Sequence, residues 1–324
     1  MATERMYRFA LLLDGRGGAR ELSDAEVASW QPADGLLWLD VDSTTKSARE
    51  WLVNKSGLPD GVSTILLATE TRPRTLVEGD GLVIVLRGIN MNPGAAADDM
   101  IAVRAWVDAT RIITSRRRKI FSVHDVHDSL LQGRGPSTPG EFLVQLSHFL
   151  MQRIEAAIEK LEQKIDKLES ELDQGEVEDV RSTLSSLRRH AAALARHLSP
   201  QRDALERLAR SGSALLSPNE LFDFREVGEH LTRHIEDLDL VRETALVLQE
   251  ELLNRVAQEQ NARMYLLSVV AAIFLPLTFV TGLLGMNVAG LPGTVNPNAF
   301  VIAAIVMALL GVALVALFRW KRWL

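Results

Sequence analysis

The sequence predicts an α+β membrane protein: an α/β N-terminal part, a series of long helices, a stalk helix and two C-terminal transmembrane helices. Three observations carry this. Two stretches, Met264–Met286 and Phe300–Phe318, contain no Asp, Glu, Lys, Arg or His. Each can cross a hydrocarbon core of about 30 Å at about 1.5 Å per helical residue. Ahead of them, short β-branched runs punctuated by Gly, Pro, Asn and Asp fill residues 1–135, and helical periodicity takes over from Pro136.

In order, YRFALLL (Tyr7–Leu13) reads as a strand followed by a hairpin turn, DGRGG, which has no P-loop lysine. LLWLDVD (Leu36–Asp42) is a second strand, and SAREWLVNKSG a short helix ended by Gly57. Gly81–Asn92 and Met100–Thr110 are strands around a PGAAADD turn, and RIITSRRR (Arg111–Arg118) is a strand whose basic end is expected to be a salt-bridged surface patch.

Thr138-Pro139-Gly140-Glu141 is a helix start with proline at the first helical position and Glu three residues after the cap. Phe142, Leu146, Phe149, Ile154, Ile158, Leu161, Ile165 and Leu168 then recur at helical spacing up to Gly175. A second helix is expected over Val177–His197 and a third from Pro200 towards Arg210. Ser217-Pro218-Asn219-Glu220 repeats the start signal, and no proline follows until Pro276, so one helix is expected from Pro218 to Met286. At 1.5 Å per residue it would be about 100 Å long and would need neighbours to be stable, which implies an oligomer or a packed bundle. The expected segments are 1–135, 136–216, a stalk over 217–263, a first span over 264–287, an outer loop over 288–299, a second span over 300–318 and a basic tail over 319–324.

The chain has 324 residues, no Cys and a net charge of −6. Disulfides and thiolate metal sites are excluded, and no nucleic-acid partner is expected. Nothing in the first residues reads as a secretory signal. Arg255 and Arg263 precede the first span, Arg319, Lys321 and Arg322 follow the second, and the loop between is uncharged. The positive-inside rule then places both termini in the cytoplasm, with Trp320 and Trp323 as interfacial anchors.

Asn287 ends the string Gly285-Met286-Asn287 at the outer mouth of the first span. An amide there accepts hydrogen bonds from waters around a cation, and a ring of copies would make an ion filter; a helix C-cap suits the same residues. Asn261, Met264, Leu267 or Ser268, Ala271, Leu275, Thr278 and Gly282 share one helical stripe with this string, as a lumen lining or as close-packing contacts. Lower on the helix the stripe carries Glu236, Asp239, Glu243 and Glu250, an acidic funnel face or a solvated one. His230 and His234 share a helix face, as a zinc-ligand pair or a surface pair. No nucleophile, base and oxyanion set emerges, so an enzyme is not expected.

Met264–Asn287, with PLTF and the terminal GMN, resembles the first membrane helix of the CorA superfamily of divalent-cation channels and transporters. GMNVAGLPG without a loop carboxylate, Leu284 before GMN, LLLDGRGGARELS, ETRPR (Glu70–Arg74), LRGINMNPGA (Leu86–Ala95), RIITSRRR and LSPQRDAL (Leu198–Leu205) resemble its zinc-transporter (ZntB) branch. The resemblance implies a homopentamer in the bacterial inner membrane, with cytoplasmic αβα domains forming a funnel. First spans would line the pore and second spans face lipid. Zn²⁺ is the implied substrate, with Cd²⁺, Ni²⁺ or Co²⁺ possible, no resident cofactor, and coupling to a proton gradient. Asn287 would contact the hydrated ion, and Gly285 and Met286 would set the filter backbone. Two other readings stand beside it: a magnesium or cobalt channel of the main branch, and a soluble domain anchored by a helical hairpin.

Overall fold

The computed structural model describes residues 6–96, 98–174, 180–211, 213–286 and 297–321. The chain divides into two compact units, Met1–Gln249 and Glu250–Leu324.

The first unit is built on a seven-stranded sheet of order β2-β1-β3-β7-β6-β5-β4. Its strands are β1 (Tyr7–Leu13), β2 (Ala19–Glu21), β3 (Leu36–Asp42), β4 (Arg74–Glu78), β5 (Gly81–Ile89), β6 (Met100–Val107) and β7 (Arg111–Arg116). All neighbouring pairs are antiparallel except β3 with β7, where Leu37 sits opposite Arg111. DGRGG is the β1–β2 hairpin loop, closed by the Asp14 amide donating to the Gly18 carbonyl at 2.9 Å, and Gly15 and Gly17 take the positive φ values it needs.

Alternation along the strands gives each face its own cover. Val41, Val83, Trp106 and Ile113 pack with Ala48 and Leu52 of α2 (Lys46–Asn54) and Val62 and Leu66 of α3 (Asp60–Leu67). The opposite face meets α4 (Phe121–Leu131) and α5 (Pro139–Asp173): Trp38 stacks edge-on with Phe142 at 4.8 Å, and Gly88 lies under Leu150 so closely that a Cβ would come within 2.5 Å of its Cδ2. An αβα sandwich follows, as expected. A short helix, α1 (Asp24–Ser29), with a complete Ser23–Glu26 capping box, packs Val27, and Trp30 just after it, against Ala10, Leu37 and Leu39 of β1 and β3.

Helices α1, α3 and α4 and strands β2 and β4 add to the elements expected from the sequence, and the two helices expected on either side of Pro200 are one. Helix α6 runs Val180–Ala209 with Pro200 inside it. Proline removes the bond to the Arg196 carbonyl, but Ser199 Oγ donates to the Ala195 carbonyl at 3.1 Å, and Gln201 is buried, its Oε1 accepting from the Arg87 amide at 2.6 Å. Packing on both sides of the proline holds the helix together. Gly175 and Val177 lie outside the described residues.

Helices α5, α6 and α7 (Pro218–Leu284) carry matching apolar stripes: Ile154, Ile158, Leu161, Ile165 and Leu168 on α5, Leu184, Leu187, Ala191 and Leu194 on α6, and Leu238, Val241, Ala245 and Leu248 on α7. Helix α7 is continuous over 67 residues, as the missing prolines predict. The two helix starts are tied together by Glu220. Its Oε2 accepts from the Ser217 amide at 2.6 Å, the Glu220 amide donates to Ser217 Oγ at 3.3 Å, and Thr138 Oγ1 donates to Glu220 Oε1 at 2.8 Å. Thr138 Oγ1 in turn accepts from the Glu141 amide at 3.0 Å. Gly140 leaves room for this carboxylate: a Cβ would stand 2.3 Å from the Glu220 carboxyl carbon and push it aside. Thr138→Ala or Ser217→Ala is expected to cost about 1 kcal/mol as a lost cap, checked by thermal unfolding; an unchanged transition would count against these caps.

In the second unit, α7 continues to Leu284 and α8 spans Ala299–Trp320. Both helices are long and apolar enough to cross a membrane, and neither buries its apolar window.

Candidate functional site

The second unit has a sidedness that its composition alone does not reveal. Along the apolar stretch of α7 from Met264 the partly covered residues are Val269, Ile273, Pro276, Leu277 and Val280. On α8 they are Ala299, Ala303, Met307, Leu310, Gly311, Leu314 and Phe318. Both sets repeat at i, i+3/i+4, i+7, the spacing of one helix face. They meet where Gly311 leaves room for Leu277, 3.9 Å from where a glycine Cβ would lie. Small residues at such positions let apolar helices approach closely without a hydrophobic driving force.

The predicted stripe lies elsewhere. Met264, Leu267, Ser268, Ala271, Leu275, Thr278 and Gly282 are all exposed, Leu267 and Leu275 by 69% and 70%. With 3.6 residues per turn, the stripe is centred about 165° from the face that meets α8. It therefore takes no part in packing α7 against α8 of one chain. Ser268 Oγ donates to the Met264 carbonyl at 2.9 Å and Thr281 Oγ1 to the Thr278 carbonyl at 2.9 Å, so each hydroxyl is satisfied along its own helix.

The helix ends where the sequence places the GMN string. The Gly285 amide donates to the Thr281 carbonyl at 2.9 Å, closing the last turn, and Met286 is half exposed. Asn287 lies outside the described residues, as do residues 288–296 of the outer loop, Arg322 and Trp323. At the other flank Arg263 pairs with Glu259 at 3.5 Å and Arg255 with Glu251. Trp320 is exposed, with the Lys321 ammonium 5.5 Å from its ring centre, a combination suited to a membrane interface.

Glu236, Asp239 and Glu243 in the first unit and Asn261 and Glu250 in the second are exposed. Asp239 pairs with Arg242 at 2.6 Å, so part of its charge is answered locally. The two histidines differ in environment. His230 is exposed, whereas His234 has its side chain 12% exposed and its Nδ1 lies 3.5 Å from Asp237 Oδ2. Burial, and then the charges of Asp237, Asp166 and Glu159, push the nearby Glu162 carboxyl above its ordinary range. Among the described residues, no three His, Asp or Glu side chains converge on a point where they could hold a metal.

The arginine string requires a correction. It is not a surface patch throughout. Arg116 is fully buried, its Nε donating to Asp40 Oδ2 at 2.8 Å with Nη2 2.6 Å from the same oxygen. Arg117 and Arg118 are exposed, and Arg118 pairs with Asp99 at 3.3 Å. Strand alternation sends Arg116 to the α4/α5 side of the sheet and its neighbours elsewhere, a signal that the triplet's charge conceals.

The family profile described as CorA-like Mg2+ transporter protein matches residues 33–322. The chain belongs to the CorA family. This CorA-family chain is 37% identical over 327 residues to the divalent cation transporter CmaX of Pseudomonas aeruginosa, covering 99% of this chain and 98% of the relative. It is 34% identical over 317 residues to the zinc transport protein ZntB of Yersinia pseudotuberculosis, covering 98% and 95%. Its fold is similar to the full-length CmaX structure, with a TM-score of 0.86, 35% identity and both chains covered completely. The CorA resemblance read from the GMN string and the two terminal spans thus holds over nearly the whole sequence. The relatives are named as transporters, not enzymes.

Proposed function

We propose that this CorA-family chain assembles as a homopentamer in the bacterial inner membrane and moves divalent cations, zinc foremost, through a pore lined by α7. The observation that carries the reading is the placement of the Met264–Gly282 stripe opposite the face that meets α8. A stripe of Ala, Ser, Thr, Gly and unbranched or γ-branched apolar residues that its own chain leaves uncovered suits a narrow, weakly binding conduit once copies surround an axis. Asn287 of each copy would accept hydrogen bonds from the ion's water shell, with Gly285 and Met286 setting the filter backbone. Both termini would be cytoplasmic, and Glu236, Asp239, Glu243 and Glu250 would raise the local cation concentration. Zn²⁺ is the substrate rather than a resident cofactor, and Cd²⁺, Ni²⁺ and Co²⁺ are further candidates. ZntB named as a zinc transport protein supports zinc; the magnesium in the family profile's description supports a second reading, a magnesium or cobalt channel.

The spans contain no Asp, Glu, Lys, Arg or His between Met264 and Phe318. Any coupling to a proton gradient would therefore run through pore water or through cytoplasmic acidic and histidine residues.

Flux into liposomes holding the purified protein separates the two readings. Zinc flux well above magnesium flux is expected, and dominant magnesium flux would move the assignment to the second reading. Asn287→Ala is expected to lower cation flux with the oligomer intact in mild detergent; equal flux in variant and parent would refute the filter role.

A further inference from the structure

A second site lies in the first unit, on the α3 face of the sheet. Strands β5, β6 and β7 place Val85, Arg104 and Ser115 on one rung. On the next rung Ala102 stands opposite Arg87, and Arg117 follows Ser115 by two residues at the end of β7. Ala102 is the small member of a row otherwise made of arginines. A cavity of about 150 Å³ opens above it, lined by Arg87, Arg104, Arg117, Arg118 and Thr69. At about 30 Å³ per water it has room for a tetrahedral oxyanion but not for a nucleoside.

Arg104 is the anomaly. It is 2% exposed, and its Nε is buried without a hydrogen-bond partner. Among the described residues no hydrogen bond or ion pair reaches its guanidinium. Arg87 spends its two terminal nitrogens on the Met100 and Thr71 carbonyls, at 2.8 and 2.9 Å, and also leaves a buried Nε unpartnered. Asp99 and Glu70 are the carboxylates whose charges act on Arg87, and Asp99 is engaged by Arg118 at 3.3 Å and by Asn90 at 2.7 Å. Burial, and then the charges of Arg117 and Arg87, push the Arg104 guanidinium down to about 10. A buried cation on which the acting charges, Arg117 and Arg87, are both cations is costly, so its persistence points to a missing anion.

We propose that this cavity binds a phosphate-type oxyanion, with Arg104 as its buried anchor and Arg117 closing its exposed mouth. The guanidinium fork suits two oxygens of one phosphate, which a lysine ammonium could not match. The anion would be free phosphate or the phosphoryl end of a larger ester whose remainder stays outside.

Calorimetric titration of the full-length protein in phosphate-free detergent tests this, with inorganic phosphate and a nucleoside monophosphate as separate probes. Saturable binding of either is expected, and a preference between them identifies the source. Arg104→Met should abolish binding while keeping or raising the unfolding temperature, because it removes an unpaired buried charge. Arg117→Gln, at an exposed position, should weaken Kd about tenfold by removing one charged contact. The proposal is overturned if neither probe binds, if Arg104→Met binds as the parent does, or if phosphate binds only after the oligomer is dissociated. The last result would mean that a carboxylate of a neighbouring copy fills the cavity.

Discussion

Asp40→Ala is expected to destabilise the first unit by about 3–5 kcal/mol, the usual cost of removing one partner from a buried ion pair. Asp40 and Arg116 have no exposed side-chain surface. The carboxylate is held from two sides: Arg116 reaches Oδ2, and Thr114 Oγ1 donates to Oδ1 at 2.7 Å while accepting from Trp38 Nε1 at 3.1 Å. Without Asp40 the guanidinium keeps only weak contacts, to the Ile120 carbonyl at 3.4 Å and His124 Nδ1 at 3.2 Å. Deleting the carboxylate therefore strands a charge between the sheet and α4. For a unit of this size the expected fall in Tm is on the order of 10 °C. The double variant Asp40→Ala/Arg116→Met should recover most of the loss, since an apolar replacement of the whole pair is often neutral or better. A double variant no more stable than Asp40→Ala would show that the pair serves packing rather than charge compensation.

That pair marks where the sequence stops being legible. The two long apolar helical stretches, the unbroken α7 and the helix starts at Thr138 and Ser217 were readable because each rests on local chemistry: uninterrupted apolar length, absent prolines, a cap with Glu three residues on. Strands β1, β3, β5, β6 and β7 were readable for the same reason. Elements that depend on distant partners were not. β4 is a mostly exposed edge strand held by β5, and α3 owes its place to Val62 and Leu66 packing under the sheet. Pro200 signalled a break that tertiary packing of Gln201 and Leu198 overrides. Arg104 gave no signal at all, because a single arginine in a strand looks like a surface residue until its rung is known. The Met264–Gly282 stripe was legible as a stripe, but two readings of it stood open, a lumen lining and a close-packing contact. The position of α8 shows only that the stripe is not the face on which α7 and α8 of one chain meet.

That separation makes the second large effect a contrast between neighbours on one helix. The chain has no cysteine, so any introduced thiol is the only one. Ala271→Cys and Thr278→Cys place it on the exposed stripe, whereas Ile273→Cys and Val280→Cys place it against α8. A charged, water-soluble thiol reagent reacts with thiolate and needs water to reach it. If copies of α7 surround a wetted conduit, the first pair should react and cation flux should fall more than tenfold, because a bulky charge then sits in a lumen that passes one hydrated ion. The second pair, screened by α8, should leave both labelling and flux near the parent's level. The contrast matters more than either value. Two residues apart on a helix lie about 200° apart around its axis, so depth in the bilayer is nearly constant while the facing is reversed. Equal labelling at Ala271→Cys and Ile273→Cys would mean that water reaches both faces, and α7 could not then be the wall of a pore. Labelling confined to Ile273→Cys would place the conduit between α7 and α8 of one chain, and the stripe ending at Gly282 would become a contact between copies.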